Sequence, residues 1–229
     1  MKEVSIALIP SYKPDNKLIK LVNDLSKENI EIIIVDDGSG KNYNEIFNKC
    51  KELSTVISYE ENKGKGYALK TGLKYIKNNY KSNNIIVTMD SDGQHLTHDA
   101  KKLINECMND NEKIYLGKRL RDKETPIMSR LGNLVTRFIY KVVTGTDIYD
   151  TQTGLRAFSD KLIDYLLKIE GDRFEYEMNV LLNSSKDKVK IKEVEIETIY
   201  IDNNKRSHFN KLKDSYRIYK SILKFIFKS

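Results

Sequence analysis

Apolar residues follow two different periods along the first half of the chain. Short β-rich runs at residues 4–9, 31–35, 56–60, 84–89 and 113–117 are separated by stretches at 16–28, 43–53, 67–80 and 96–108. In those stretches the apolar positions recur every three to four residues, the helical period. The runs Ile32-Ile33-Ile34-Val35 and Ile85-Ile86-Val87 are apolar without interruption, as expected of strands covered on both faces. Strand and helix in alternation predict βαβ units, hence an α/β fold with a mostly parallel sheet flanked by helices. Ligands of such sheets bind outside the carboxyl ends of the strands. The loops at 10–14, 36–40, 62–66 and 90–95 are therefore where chemistry is expected. The second half is less regular. Helices are predicted over 126–145, 173–185 and 208–228, a strand-like run over 189–200, and a loop over 146–156.

Charge divides the chain more sharply than hydropathy does. The net charge is +7. Residues 205–229 hold eight Lys and Arg against the single acid Asp214, which leaves 32 bases and 32 acids over residues 1–204. The expected division is a balanced globular domain at 1–204 and a basic amphipathic C-terminal helix at 205–229. Lys213, Arg217, Lys220, Lys224 and Lys228 fall within a stripe roughly 80° wide, with Leu212, Tyr216, Tyr219, Leu223, Ile226 and Phe227 beside or opposite it. Arg130, Arg137 and Lys141 align in the same way on the earlier helix. Basic amphipathic helices of this kind suit a membrane surface, here through residues 127–143 and 209–228. Their apolar faces are too rich for phosphate contact alone, so nucleic acid is not expected. There is no run long and apolar enough to cross a bilayer. The N-terminus enters a strand without a leader pattern, and Cys50 and Cys107 are too few for a disulfide framework. A cytoplasmic protein, peripheral on the inner face of the membrane, is expected.

Asp90-Ser91-Asp92-Gly93-Gln94 is the sharpest chemical feature. In an extended segment, residues two apart point to the same side. Asp90, Asp92 and Gln94 would then converge on one point, a set of hard oxygen ligands suited to Mg²⁺ or Mn²⁺ shared with substrate phosphates. Taken alone, the same run reads as a solvated Asp/Gly turn. Asp36-Asp37-Gly38-Ser39 ends the other fully apolar strand. A carboxylate there can accept a hydrogen bond from a base N–H or a ribose hydroxyl, while Gly38 and Ser39 also make an ordinary turn. Asn62-Lys63-Gly64-Lys65-Gly66 opens a helix, where free N–H groups and lysines favour an anion. It lacks the third glycine of a dinucleotide fingerprint, because Leu69 stands there. Arg119 and Arg156 are candidate phosphate ligands. His95, His98 and His208 are scattered, no Ser-centred elbow exists, and nothing points to nucleophilic catalysis.

Together these motifs resemble family 2 glycosyltransferases of the GT-A fold, most closely the polyprenyl-phosphate glycosyltransferases related to dolichol-phosphate mannose synthase. The resemblance runs from Val4 to about Phe209. It also rests on Pro10-Ser11-Tyr12, the Gly117/Arg119 pair, the run from Asp150 to Phe158, the run from Phe174 to Met178, and Ser207-His208-Phe209. It implies a catalytic domain at 1–204 that uses Mg²⁺ or Mn²⁺. It implies that Pro10, Tyr12, Val35 and Asp37 line the base and ribose site. It implies that Asp90, Asp92 and Gln94 hold the metal on the donor diphosphate, with Ser91 beside it. Lys65 belongs to the donor-binding set. Arg119 and Arg130 would approach phosphates, Asp150, Gln152 and Arg156 would shape the sugar and acceptor pocket, and Glu177 would buttress it. Ser207 and His208 would sit on a loop closing the nucleotide site. The mannose synthases carry Lys directly after that Ser, where this chain has His208. Asp202 stands where their Arg would be, and Pro14 replaces a frequent acid. The closing-loop departures at Asp202 and His208 favour a UDP-sugar, with GDP-mannose the alternative donor.

The reaction expected on these grounds is inverting transfer of one sugar from a nucleotide-diphosphate donor to a polyprenyl phosphate. The acceptor phosphate is already an anion at neutral pH, so no strong general base is required. Two alternatives stand beside it. A transferase acting on a soluble saccharide or protein would need a deprotonating carboxylate such as Asp150 or Glu175, and a non-catalytic sugar-nucleotide or membrane-binding module would need none. The resemblance also leaves room for a small membrane-protein partner.

Overall fold

The computed structural model describes residues 4–120, 127–197 and 212–228, without the side chains of 127–131 and 228. Seven strands form one sheet in the order β3-β2-β1-β4-β6-β5-β7. They are β1 Val4–Ser11, β2 Glu31–Asp37, β3 Thr55–Tyr59, β4 Asn84–Thr88, β5 Ile114–Arg119, β6 Arg156–Ser159 and β7 Ile191–Ile196. All run the same way except β6, which pairs antiparallel with both β4 and β5. The helices are α1 Asn16–Ser26, α2 Asn44–Cys50, α3 Lys65–Asn79, α4 Thr97–Asn109, α5 Ile127–Thr144, α6 Ile163–Lys168, α7 Glu175–Lys186 and α8 Lys213–Lys228.

The uninterrupted apolar strands are explained by two cores, one on each face of the sheet. Side chains alternate across a strand. Ile6, Leu8, Ile33 and Val35 therefore join the core under α3, α5, α6, α7 and α8. Ala7, Ile9, Ile32 and Ile34 join the core under α1, α2 and α4. Both cysteines are buried as free thiols, Cys50 on α2 and Cys107 on α4. Burial pushes the Cys50 thiol up to about 11, so it behaves as a small apolar residue.

The sequence pattern placed most elements within a few residues and missed three features. The helix expected at 43–53 is α2 Asn44–Cys50, preceded by a 3₁₀ turn Lys41–Tyr43. α3 starts two residues earlier than expected, at Lys65. Neither β6 nor α6 was anticipated, because four and six residues are too short to carry a period. The expected boundary at 204/205 lies outside the described residues. Beyond it α8 is not a free appendage, because Ile218 and Ile222 are buried in the same core as α3 and α7.

The order around β1 is what positions the site. β2 and β4 flank it on opposite sides and their connections run in opposite directions, which opens a crevice at their carboxyl ends. One close approach fixes the helix behind it. A Cβ at Gly72 on α3 would collide with the Leu8 side chain of β1. Leu8→Ala should cost about 2–5 kcal/mol through the cavity it leaves, and Gly72→Ala about 1–3 kcal/mol through overpacking. Combined, the two should cost at least about 0.5 kcal/mol less than the sum, since one relieves the other. Urea unfolding of the three variants measures this; strict additivity would show that the contact is not tight.

Candidate active site

A cleft of about 450 Å³ opens at the carboxyl ends of β1, β2 and β4. β1 contributes Pro10 and Ser11, followed by Tyr12; β2 contributes Asp37; and the loop after β4 contributes Asp90, Ser91 and Asp92. Asp37 and Asp90 stand two strand spacings apart, about 10 Å, because β1 lies between their strands.

At the β2 end, Asp37 is buried and its carboxylate is heavily committed. It accepts the Tyr59 hydroxyl at 2.8 Å, the Asn62 amide at 2.8 Å and the backbone N–H of Lys63 at 2.8 Å and of Gly64 at 2.9 Å. The glycine-rich start of α3 was expected to offer free N–H groups to a phosphate. Instead the anion at those two N–H groups is the protein's own Asp37, and the Tyr67 N–H is taken by the Asp172 carbonyl at 2.8 Å. Gly38, at φ +67°, lets β2 turn against this loop, since a Cβ there would strike the Glu61–Asn62 backbone. Asn62 is held from its other side by Arg173, whose Nη1 donates to the Asn62 side-chain oxygen at 3.0 Å.

At the β4 end, the Lys65 ammonium bridges two carboxylates, Asp90 at 2.6 Å and Glu177 at 3.0 Å. Burial alone would lower the Lys65 pKa, but the two carboxylates outweigh it and raise it, so the ammonium stays charged. Burial likewise works to raise Asp90, yet Lys65 holds it down at about 2. Asp92 is pushed the other way, to about 6, by burial and then by the Asp90 charge. Its Oδ1 accepts the Gln94 N–H at 3.1 Å, which closes the turn. His95 is buried and its Nδ1 accepts the Asp90 N–H at 3.0 Å, fixing the backbone at the first aspartate. Burial lowers His95 to about 4, so it is a neutral orienting group. The sequence reading passed over His95 as a scattered histidine; its spacing of five from Asp90 was the available signal.

The donor set fits a hard divalent cation shared with a substrate. Asp90 and Asp92 crowd negative charge on one wall, and a cation there would relieve the repulsion that raises Asp92. Gly154 forms a cradle against them. A Cβ at this position would strike the Asp90 carboxylate and come within 2.8 Å of the Lys65 Nζ. Among the described residues no three acidic, His or Cys side chains form a closed cage. Remaining ligands would come from phosphate oxygens and water, as is usual for Mg²⁺.

Several expected site residues stand elsewhere. Val35 is fully buried in the core and does not line the cleft. Arg156, expected at the phosphates, is buried on β6. Its Nε donates to the Thr153 carbonyl at 3.1 Å and its Nη1 to the Glu177 carbonyl at 2.9 Å, so it braces α7. Arg119 and Asp150 form a two-bond ion pair with Nε at 2.7 Å and Nη2 at 3.2 Å, and Asp150 is fully buried. The Asp150 carboxylate also accepts the Gln152 N–H at 3.2 Å, and the Gln152 side chain is exposed near Gly132 of α5. Glu175 accepts the N–H groups of Asp172 and Arg173, each at 3.2 Å, and thereby caps the start of α7. Asp150 is engaged through both carboxylate oxygens, whereas Glu175 keeps a buried Oε2 without a hydrogen-bond partner among the described residues. Ser207 and His208 lie outside the described residues, as does the Arg130 side chain. Five cleft residues were not foreseen in that role: Arg173 and Phe174 ahead of α7, and Lys213, Asp214 and Arg217 on α8. They reach the site by long-range packing that no local pattern encodes.

The chain resembles known proteins over most of its length. The model of "Glycosyl transferase family 2" matches residues 6–167. A UDP-N-acetylglucosamine–dolichyl-phosphate N-acetylglucosaminyltransferase of Methanococcus voltae is 35% identical over 216 residues, covering 85% of each chain. The dolichyl-phosphate beta-glucosyltransferase of Saccharomyces cerevisiae is 26% identical over 233 residues, covering 86% of this chain and 67% of the relative. Among solved structures, glucosyl-3-phosphoglycerate synthase of Mycobacterium tuberculosis, in complex with Mn²⁺, UDP and glucosyl-3-phosphoglycerate, superposes with a TM-score of 0.73 at 17% identity. That alignment covers 98% of this chain and 80% of the synthase, and it establishes a common fold. The strand order, the cleft at the carboxyl ends of β1, β2 and β4, and these matches lead to one assignment: the chain is a GT-A-fold enzyme that belongs to glycosyl transferase family 2.

Proposed function

We propose that this glycosyltransferase moves a single sugar from a UDP-sugar to a polyprenyl phosphate, with inversion at the anomeric carbon, at a membrane surface. The observation that carries the reading is the 35% identity, along 85% of the chain, to a dolichyl-phosphate N-acetylglucosaminyltransferase. That relative's name includes a UDP-sugar donor, and the departures of Asp202 and His208 from the mannose-synthase pattern favour the same base.

The cleft accommodates the donor in one direction. The nucleoside lies toward Pro10, Tyr12 and Asp37, with Asp37 building the wall through its loop hydrogen bonds. The diphosphate lies toward Asp90, Ser91 and Asp92. Asp90, Asp92 and Gln94 would hold Mg²⁺ or Mn²⁺, which supplies positive charge to the departing diphosphate. Lys65 keeps Asp90 ionised and in place, and His95 fixes its backbone. An acceptor phosphate oxygen bonds to the anomeric carbon as the bond to the diphosphate breaks, and the electron pair leaves with the nucleotide. The phosphate nucleophile is ionised already, which agrees with the engagement of both Asp150 carboxylate oxygens by Arg119. Arg119, half-buried and held by the fully buried Asp150, would approach the phosphates.

Exposed apolar side chains support the lipid acceptor. Nine of the twelve large exposed hydrophobic residues in the described chain lie on α5 or at α8, among them Phe138 at 66% and Phe227 at 85% exposure. Concentration on two helices marks an interaction surface, where isolated residues would not. No helix among the described residues is long and apolar enough to cross a membrane; docking is through the open faces of α5 and α8 lying in the interface.

Incubation with radiolabelled UDP-N-acetylglucosamine, UDP-glucose or GDP-mannose, Mn²⁺ and a short-chain polyprenyl phosphate tests the reaction. Label should enter the organic phase from a UDP-sugar; transfer only to soluble sugars or protein would overturn the acceptor assignment. Asp92→Asn should lower kcat by about 100-fold or more, the scale of losing one electrostatic stabiliser, with an unchanged Tm. Gly154→Ala should weaken Mn²⁺-dependent UDP binding measured by calorimetry, because its methyl displaces Asp90. Normal binding would remove Gly154 and Asp90 from the donor site.

A further inference from the structure

α8 faces three environments along one short length. Its core face carries Ile218 and Ile222, which are buried beside α7. Its open face, roughly 100° wide, carries Tyr216, Leu223, Ile226 and Phe227, with Leu212 just ahead of the helix. Between them runs the stripe of Lys213, Arg217, Lys220 and Lys224. At the head of the helix that stripe turns into the donor cleft, where Lys213, Asp214 and Arg217 line the wall. Asp214 is buried, and it accepts Arg217 Nη1 at 2.8 Å. A guanidinium oriented by a buried carboxylate on a cleft wall is a positioned ligand for phosphate.

α8 packs on α7, with Tyr219 and Phe225 partly buried against the core and the Lys224 ammonium paired with Glu170. Only Asp214, Ile218 and Ile222 of its described residues are buried. A helix of this length is marginal in water without packing. Docking its open face on a bilayer would bury apolar surface that the protein leaves exposed, and the basic stripe beside that face complements anionic headgroups. Whatever immobilises the tail of a rigid helix also immobilises its head.

We propose that α8 couples the membrane to the donor: Arg217 binds the nucleotide diphosphate, and an anionic lipid surface seated on the apolar face of α8 raises donor affinity by fixing Arg217. This rests on the membrane reading of the proposed function and adds an energetic link to it. Coupling free energies are reciprocal. The factor by which vesicles tighten donor binding must equal the factor by which donor tightens vesicle binding.

The experiment uses the full chain, UDP with Mn²⁺ as the probe, and vesicles of phosphatidylcholine with or without phosphatidylglycerol. UDP affinity by fluorescence titration and vesicle affinity by co-sedimentation are each measured with and without the other ligand. The expected result is a gain of at least about fivefold in both, equal within error and confined to anionic vesicles. Leu223→Glu/Phe227→Glu should reduce the vesicle-induced gain in UDP affinity to about onefold. Arg217→Gln should still sediment with vesicles but lose the gain, and Arg217→Lys should restore part of it. Vesicle binding that leaves UDP affinity unchanged overturns the coupling while the membrane reading stands. No vesicle binding by a chain that binds UDP overturns both.

Discussion

The Lys65 ammonium between Asp90 and Glu177 is the contact on which the site depends. It joins three elements that are far apart in sequence: the first residue of α3, the loop after β4 and the first turn of α7. Its cost is the partial desolvation of three charges, whose side chains are 14%, 31% and 12% exposed, and the attraction of each carboxylate for the ammonium offsets it. The consequence is electrostatic asymmetry within one motif. Asp90 is neutralised by protein and stays ionised at any physiological pH, while Asp92, two residues on, is left with a neighbour's negative charge and a raised pKa. A Lys65 shortened or removed would leave Asp90 and Glu177 as two buried acids without their cation. The damage would spread from the cleft to the packing of α7.

A second internal ion organises the opposite end of the cleft. Asp37 gathers the N–H groups of Lys63 and Gly64, which would otherwise be orphaned at the start of α3. The positive end of the helix is thereby spent on holding a loop. Glycine-rich helix starts are usually read as phosphate sites, and the composition of 62–66 invites that reading. What decides between the two is whether a buried carboxylate from another strand arrives first, and here β2 delivers one. The N–H groups of Lys63 and Gly64 are therefore not open to a phosphate.

Much of this was legible from residue order alone, for a physical reason. Four of the five strands of the first half, β1, β2, β4 and β5, are buried enough to stand out as apolar runs, and the loops at their carboxyl ends must hold the polar residues. The Asp90–Gln94 run and the Asp36–Ser39 run could be placed at one crevice before any coordinates. β6 was not legible, because an antiparallel strand of four residues between two parallel partners depends on what β4 and β5 leave unpaired. The placement of Arg156 was not legible for the same reason: on a central strand it gives two N–H groups to backbone carbonyls, while its buried Nη2 has no hydrogen-bond partner among the described residues. Arg173 and Arg217 reach the cleft from segments 111 residues away from Asn62 in one case and from the chain's last helix in the other. Local patterning holds no information about either meeting.

The open faces of α5 and α8 were legible as amphipathic, but amphipathicity alone does not say which face is covered. The structure resolves this through the burial of Tyr140, Ile218 and Ile222 in the core shared with α7, which leaves Phe138, Val142, Leu223 and Phe227 outward. A helix that used its apolar side to pack on the sheet would have shown the reverse. Both helices therefore carry more apolar surface than the fold consumes, and both do so on the half of the molecule that holds α3 and α7. The acceptor proposed for this enzyme has a charged head on a long apolar chain. A site for it needs cationic groups inside a cleft and apolar surface outside it on the same element, and α8 is the element that provides both.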